Sequence, residues 1–200
     1  MEQQEYQALK PMVLRWGGRL AMVSAILTLP LFVISLQLDA RGGRSILIAQ
    51  LLMQISSTLI FVVLTGLLRS FLVRNCLFRG ADRPLFFLIL LNCVYAAFSS
   101  MALLDPQSKE QFQTVLMTLV VALGMLQALF GYLLRRMEND LGGFKRAFSS
   151  LNVFTGVCLA SLVLIPVGVL ASAVADVMLA TIFFREVDRQ GHLPEDSPEP

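Results

Sequence analysis

Apolar residues in this chain come in long uncharged runs. Five runs without Asp, Glu, Lys or Arg contain 19, 24, 21, 24 and 29 residues, and they cover 20–38, 45–68, 84–104, 111–134 and 147–175. A helix needs about 20 apolar residues to cross roughly 30 Å of hydrocarbon at about 1.5 Å per residue. Each run has about this length or more, so the pattern predicts membrane-spanning segments.

The spanning segments are predicted to be helical. Only helices and closed β-barrels satisfy their backbone hydrogen bonds within lipid, and barrel strands alternate polar with apolar residues. Residues 57–68 and 85–91 show no such alternation. The sequence therefore predicts an all-α fold, a polytopic transmembrane helix bundle with about five spans. The spans are placed at about 19–38, 46–68, 84–104, 112–134 and 151–184.

Residues 1–184 are interpreted as one transmembrane domain that includes short interfacial segments. Residues 1–18 and 135–150 place apolar side chains at helical spacing beside basic ones, which is typical of helices lying among lipid headgroups. Residues 185–200 are predicted to form a polar, disordered C-terminal tail, because the sequence there becomes acidic and rich in proline.

The fifth apolar region, 151–184, is ambiguous. As one helix it would be roughly 50 Å long, which exceeds one straight crossing. Pro166 and Gly168 lie near its centre, so it could be a single kinked helix or two short arms of a re-entrant hairpin. The single helix is preferred, because tilting accommodates excess length at little cost.

The basic residues predict the orientation. With five spans, 11 of the 16 Lys and Arg residues lie on the side of the N-terminus, and a hairpin at 151–184 would raise that number to 13. Because basic residues concentrate on the cytoplasmic side, the N-terminus is predicted to be cytoplasmic and the tail external. Short loops, the lack of a removable signal peptide and a preference for arginine over lysine favour a bacterial cytoplasmic (inner) membrane.

The sequence contains no recognisable catalytic, metal or cofactor site. His192 is the only histidine and lies in the tail, while Cys76, Cys93 and Cys158 are far apart. The HExxH and GxSxG motifs and glycine-rich phosphate loops are absent. We therefore expect neither an enzyme nor a bound metal or cofactor. Nucleic-acid binding is not expected either, because anionic lipid headgroups explain the arginine-rich loops.

Polar residues inside the predicted spans are candidates for a transport path. Asp176 is the only acidic residue there, and a charge near the bilayer centre costs about 2.5–3.5 kcal/mol unless it faces water or a partner. Asp176 is either a proton or cation site, or a headgroup-level carboxylate paired with Arg185 or a neighbouring helix. The amide candidates are Gln50, Gln54, Asn92 and Gln127, which either line a water-filled path or form hydrogen bonds between helices.

Small residues at helical spacing are predicted to lie where helices pack closely. They allow backbones to approach, as in other membrane helix pairs. The predicted packing residues are Gly17, Ala21, Ala25, Gly124, Gly131, Gly168 and Ser172.

Three functional hypotheses follow. The first is a non-enzymatic accessory, assembly or scaffold protein that packs in the lipid bilayer with itself or with another membrane protein. The alternative is a small transporter or channel that uses Asp176 and the polar faces of spans two and three; it would be oligomeric, since five helices are few for a substrate pathway. The third, a lipid-modifying enzyme with Asp176 as general acid or base, lacks a second catalytic group.

Overall fold

The computed structural model describes residues 8–39, 44–104 and 109–191, and these residues form helices and turns without any strand. The helices are α1 (Pro11–Asp39), α2 (Arg44–Arg74), α3 (Asp82–Leu104), α4 (Lys109–Leu134), α5 (Lys145–Ala160) and α6 (Ile165–Gly191). All except α5 are long and apolar enough to cross a membrane. The predicted all-α transmembrane bundle is confirmed, and the chain is an integral membrane protein.

The six helices form a closed ring. Each helix packs against the helix before it and the helix after it, and α6 closes the ring by packing along α1. Within the described residues, helices on opposite sides of the ring do not pack against each other. The centre of the ring is therefore left to side chains, and no helix fills it.

The apolar region 151–184 is a helical hairpin, so the prediction of one kinked helix is wrong. α5 ends at Ala160, and α6 begins at Ile165. At one end of the hairpin, Gly168 packs against Cys158. At the other end, Arg185 Nη1 donates a hydrogen bond of 2.6 Å to the Gly142 carbonyl oxygen, just before α5. The two arms therefore run antiparallel.

The hairpin turn, 161–164, is stabilised locally. Leu162 has a φ of 58°, which reverses the chain. Ser161 Oγ donates to the Cys158 carbonyl and accepts from the Leu164 amide. Pro166 falls in the first turn of α6, where the missing N–H has no helical partner to lose. The proline therefore marks the start of a helix and does not kink one.

An asparagine joins the first, middle and last parts of the chain at one end of the ring. Asn75 Oδ1 accepts from the Leu9 amide at 3.1 Å, and Asn75 Nδ2 donates to Glu186 Oε1 at 3.2 Å. The start of α1 and the end of α6 therefore lie at the same end. The prediction that the last span ends opposite the N-terminus is wrong, because the hairpin adds a sixth helix.

We call this end, formed by residues 8–10, 75–81, 135–144 and 185–191, the basic end. Thirteen of the 16 Lys and Arg residues lie in the basic end or next to it. These are Lys10, Arg15, Arg19, Arg69, Arg74, Arg79, Arg83, Arg135, Arg136, Lys145, Arg146, Arg185 and Arg189. The charge count thus agrees with the hairpin topology.

Two predicted boundaries at the basic end are also wrong. Residues 11–18 belong to α1 and do not form a separate interfacial helix, and 185–191 continue α6 as helix. The rest of the predicted N-terminal segment, 1–7, and of the predicted tail, 192–200, lies outside the described residues.

The linker between α4 and α5 differs from the predicted interfacial segment. Met137, Leu141 and Phe148 are buried in the hydrophobic core and do not face headgroups. A short 3-10 turn, Leu141–Gly143, interrupts the segment. Gly142 and Gly143 have φ values of 66° and 91°, a conformation that glycine adopts without strain. The linker therefore folds under the bundle and helps close the basic end.

Fusion reporters test the topology. We expect a reporter placed before Met1 and one placed after Pro200 to lie on the same side of the membrane, because α1 begins and α6 ends at the basic end. Compartment-specific alkaline phosphatase and fluorescent-protein fusions provide the measurement. Reporters on opposite sides would contradict the sixth helix.

Backbone contact between α4 and α5 depends on glycine. A Cβ at Gly124 would lie 2.5 Å from the Ala160 nitrogen and 2.6 Å from the Gly156 carbonyl oxygen. A Cβ at Gly131 would lie 2.6 Å from the Val153 nitrogen. Neither position can accept a side chain unless the two backbones separate.

Gly124→Ala should therefore destabilise the protein by about 1–3 kcal/mol, the usual result of overpacking. Gly66→Ala on α2 is the matched control, because nothing lies within 4 Å of its Cβ position. Alanine is the better helix former, so this control should leave stability unchanged or raise it by up to about 1 kcal/mol. Thermal unfolding in one detergent measures both, and equal midpoints for both variants would refute the close contact.

Candidate functional site

A cavity of about 630 Å³ occupies the centre of the ring. All six helices contribute to its wall. The wall combines apolar residues with polar ones, and the polar ones come from every helix. This is the arrangement expected when polar side chains in a membrane protein turn away from lipid.

The structure brings all five candidate path residues to this one cavity. Gln50 and Gln54 line it from α2, Asn92 from α3, Gln127 from α4 and Asp176 from α6. They are separated by up to 126 positions in the sequence, and the closure of α6 against α1 brings them together.

Asp176 has one hydrogen-bond donor and no cationic partner among the described residues. Ser24 Oγ donates to Asp176 Oδ2 at 2.7 Å, and no described Lys, Arg or His lies within salt-bridge distance. Arg185, one predicted partner, instead bonds to the Gly142 carbonyl and stacks on Phe144 at 4.6 Å. The predicted Asp176–Arg185 pair therefore does not form.

Gln127 both lines the cavity and links two helices. Its Nε2 donates to Asn152 Oδ1 at 2.5 Å, and Asn152 Nδ2 donates to the Phe148 carbonyl at 2.8 Å. Hydrogen bonding between helices and lining of a cavity were separate interpretations of this glutamine. In the structure one residue has both roles.

Among the polar lining residues that escaped the sequence analysis are Ser24, Thr28, Thr58 and Asn152. Ser24 and Thr28 are four residues apart on one face of α1, and Thr28 Oγ1 donates to the Ser24 carbonyl at 2.7 Å. Asn152 is the one amide within the uncharged run 147–175. Their spacing and type were visible signals, whereas their contact with Asp176 and Gln127 was not.

The small residues lie at different contacts. Gly17 packs against Phe183, and Ala21 and Ala25 are buried on the same face of α1. Gly124 and Gly131 face α5, while Gly168 faces Cys158. Ser172 lines the cavity, and its Oγ donates to the Val169 carbonyl at 2.8 Å.

Two buried side-chain oxygens have no hydrogen-bond partner among the described residues. They are Asn92 Oδ1, on the cavity wall, and Thr155 Oγ1, on α5. An unpaired buried acceptor costs about 1–3 kcal/mol. Asn92 Oδ1 therefore offers a place for a donor that enters the cavity.

The cavity is closed towards the basic end and extends towards the other. Its floor consists of residues that belong to the hydrophobic core: Leu68, Leu85, Phe130, Phe148 and Leu179. In the opposite direction it reaches Leu103 in the last turn of α3. Within 26–34, 46–63, 89–104 and 111–123 no described residue is fully buried. The first four helices therefore pack tightly at the basic end and more loosely beyond it.

The described residues offer neither a metal site nor an activated thiol at Cys76. They include no group of three or more His, Cys, Asp or Glu side chains that could hold a metal ion. Burial, with a smaller contribution from Glu186, raises the pKa of the Cys76 thiol to about 12. Cys76 is thus protonated at neutral pH and is a poor nucleophile.

No protein-family model, curated protein or solved structure matches this chain. The cavity and its residues are therefore the basis for the functional argument.

Cysteine labelling tests the direction in which the cavity opens. In a variant whose three native cysteines are replaced by alanine, Ser99→Cys places a thiol on the cavity wall near the end of α3. We expect a membrane-impermeant thiol reagent to label it only from the side opposite the N-terminus. Ala147→Cys, exposed near the basic end, is the control and should be labelled only from the N-terminal side. Labelling of both variants from one side would contradict the closed floor.

Proposed function

We propose that the protein is a small membrane carrier that binds a positively charged solute at Asp176. The observation that supports this most strongly is the convergence of polar residues from all six helices on one cavity, where Asp176 is the single carboxylate among the described lining residues. A carboxylate without a cationic partner in a membrane interior favours a cation that arrives from outside the protein. The amides and hydroxyls around it supply further hydrogen-bonding groups for a solute or its water shell.

The closed floor favours a carrier over an open channel. Among the described residues, buried apolar side chains lie between the cavity and the basic end. A carrier works by alternating between states that open to either side, and a cavity that is closed at one end has the form of one such state. A permanently open pore would need polar residues along its whole length.

The proposed location is a bacterial inner membrane with the basic end in the cytoplasm. Thirteen of the 16 Lys and Arg residues lie in or next to that end, and the tendency of basic residues to remain inside supports a cytoplasmic location for it and for the N-terminus. The cavity accordingly extends towards the external side.

The accessory or scaffold role expected from the sequence stays a prediction. A scaffold requires packed helices and an outer contact surface, but it has no use for a cavity carboxylate that lacks a cationic partner among the described residues. The carrier is preferred for this reason. The predicted absence of catalytic activity is compatible with both proposals.

Replacement of Asp176 tests the carrier. Purified wild-type protein in liposomes should take up at least one cation from a panel of radiolabelled sodium, rubidium and phenethylammonium, and should not take up glycerol. Asp176→Asn should abolish cation uptake, because the replacement keeps the shape of the side chain and removes its charge. The matched control is Asp188→Asn, an exposed aspartate on the same helix, which should retain uptake.

Equal uptake by Asp176→Asn and wild type would refute the carrier, as would cation uptake no faster than in protein-free liposomes. Thermal unfolding of each variant in detergent shows whether it is folded. If Asp176→Asn unfolds, Asp176→Glu takes its place as the test, since it keeps the charge and should retain uptake.

A further inference from the structure

We infer that the cavity binds a protonated amine that carries an apolar body. This inference rests on the proposed carrier function and specifies its substrate class. It draws on four independent features of the cavity: its size, its charge, its apolar floor and its unpaired acceptor.

The size of the cavity argues against a bare inorganic ion. A volume of about 630 Å³ lies within the range of roughly 300–1,000 Å³ that is typical of pockets for small organic molecules. One water molecule takes up about 30 Å³ of liquid, so a single sodium or potassium ion would leave nearly all of the space to water. An organic molecule would fill a large part of it.

The charge of the cavity selects a single positive group. Among the described residues, Asp176 is the only carboxylate on the wall, and neither Lys nor Arg lines it. Ser24 donates a hydrogen bond to Asp176 Oδ2, and the carboxylate can accept further hydrogen bonds. Calcium binds six to eight oxygens, commonly including carboxylates, and the described residues contain no group of three or more acidic, histidine or cysteine side chains that could hold a metal ion. An ammonium group needs only one carboxylate and a few neutral acceptors.

The floor suits an apolar body beside the charged group. Leu179 lies three residues after Asp176 on α6, so the floor begins one helical turn below the carboxylate. Phe130 and Phe148 add two aromatic side chains to the same floor. Burial of an apolar body against them is favourable because it removes apolar surface from water, and aromatic rings also attract a nearby cation.

The unpaired Asn92 Oδ1 favours a substrate with N–H groups. This buried acceptor lies on the cavity wall and has no donor among the described residues. A primary ammonium brings three N–H donors, which can serve Asp176 and, through water, Asn92. A quaternary ammonium has no N–H group to donate to either residue. The inferred class is therefore a protonated amine and not a quaternary ion.

A series of four molecules with the same phenyl group tests this inference. They are phenethylammonium, phenethyltrimethylammonium, phenethyl alcohol and phenylacetate. Calorimetry on the full-length protein in detergent should show that phenethylammonium binds about 10- to 100-fold more tightly than phenethyl alcohol, which is the effect of a hydrogen bond to a charged group. Phenylacetate should not bind. Bound phenethylammonium should also slow the labelling of Ser99→Cys, which places it in the cavity.

Variants separate the contributions of Asp176 and Asn92 to the affinity for the amine. Asp176→Asn should reduce the affinity for phenethylammonium to that for the alcohol, while Asp188→Asn should leave it unchanged and Asp176→Glu should retain most of it. Asn92→Leu should weaken phenethylammonium several-fold without weakening phenethyltrimethylammonium. Equal affinities for the amine and the alcohol, binding that does not depend on Asp176, or preference for phenylacetate would overturn the inference.

The outcomes also separate this inference from the carrier proposal. If the liposomes take up sodium or rubidium while phenethylammonium does not bind, the amine site is wrong and the carrier stands. If phenethylammonium binds at Asp176 but no cation in the panel is taken up, the amine site stands and the carrier is wrong.

Discussion

The whole structure depends on the inability of lipid to hydrogen-bond polar side chains. A carboxylate near the bilayer centre costs about 2.5–3.5 kcal/mol, so Asp176 and the amides must turn away from the hydrocarbon. In a two-helix contact they would pair with each other. In this ring each helix packs only against its neighbours among the described residues, so the polar faces meet in the centre without filling it. The cavity is thus a consequence of where polar residues can go, combined with a ring in which no helix crosses the middle.

The ring is held at one end. Asn75 ties the start of α1 to the end of α6, Arg69 and Asp82 pair between α2 and α3, and the linker between α4 and α5 buries Met137 and Leu141 beneath the bundle. The buried core of the first four helices lies at the same end. Farther from the basic end, these four helices continue, but their described residues are no longer fully buried. A chain of 200 residues can therefore build both a rigid base and a cavity, because it uses its tight packing only at the base.

The sequence predicted the elements well and their arrangement less well. Spans one to four followed from the length of the uncharged runs, because membrane thickness sets that length. The hairpin was the alternative that was not preferred for 151–184, because its turn is apolar apart from Ser161: Leu162, Val163 and Leu164 follow, and Val163 is 84% exposed. In a soluble protein such a turn would be polar, but lipid removes that signal.

The distribution of basic residues did indicate the hairpin, since the hairpin places 13 of the 16 Lys and Arg residues at one end. The five path candidates were identifiable by type, whereas their meeting depended on α6 packing along α1, which no local pattern encodes.

The sixth helix also changes the argument about assembly. An oligomer was expected for a transporter because five helices within one chain seemed too few to surround a substrate path. That expectation stays a prediction, but its physical reason is weaker now, since α5 and α6 together close the ring and Asp176 faces a wall supplied by the same chain. Ser24 comes from the helix that α6 closes against, and it donates the hydrogen bond that Asp176 receives. The contact that completes the ring is thus also the contact that positions the carboxylate, so a single copy contains every described group that the proposed site requires.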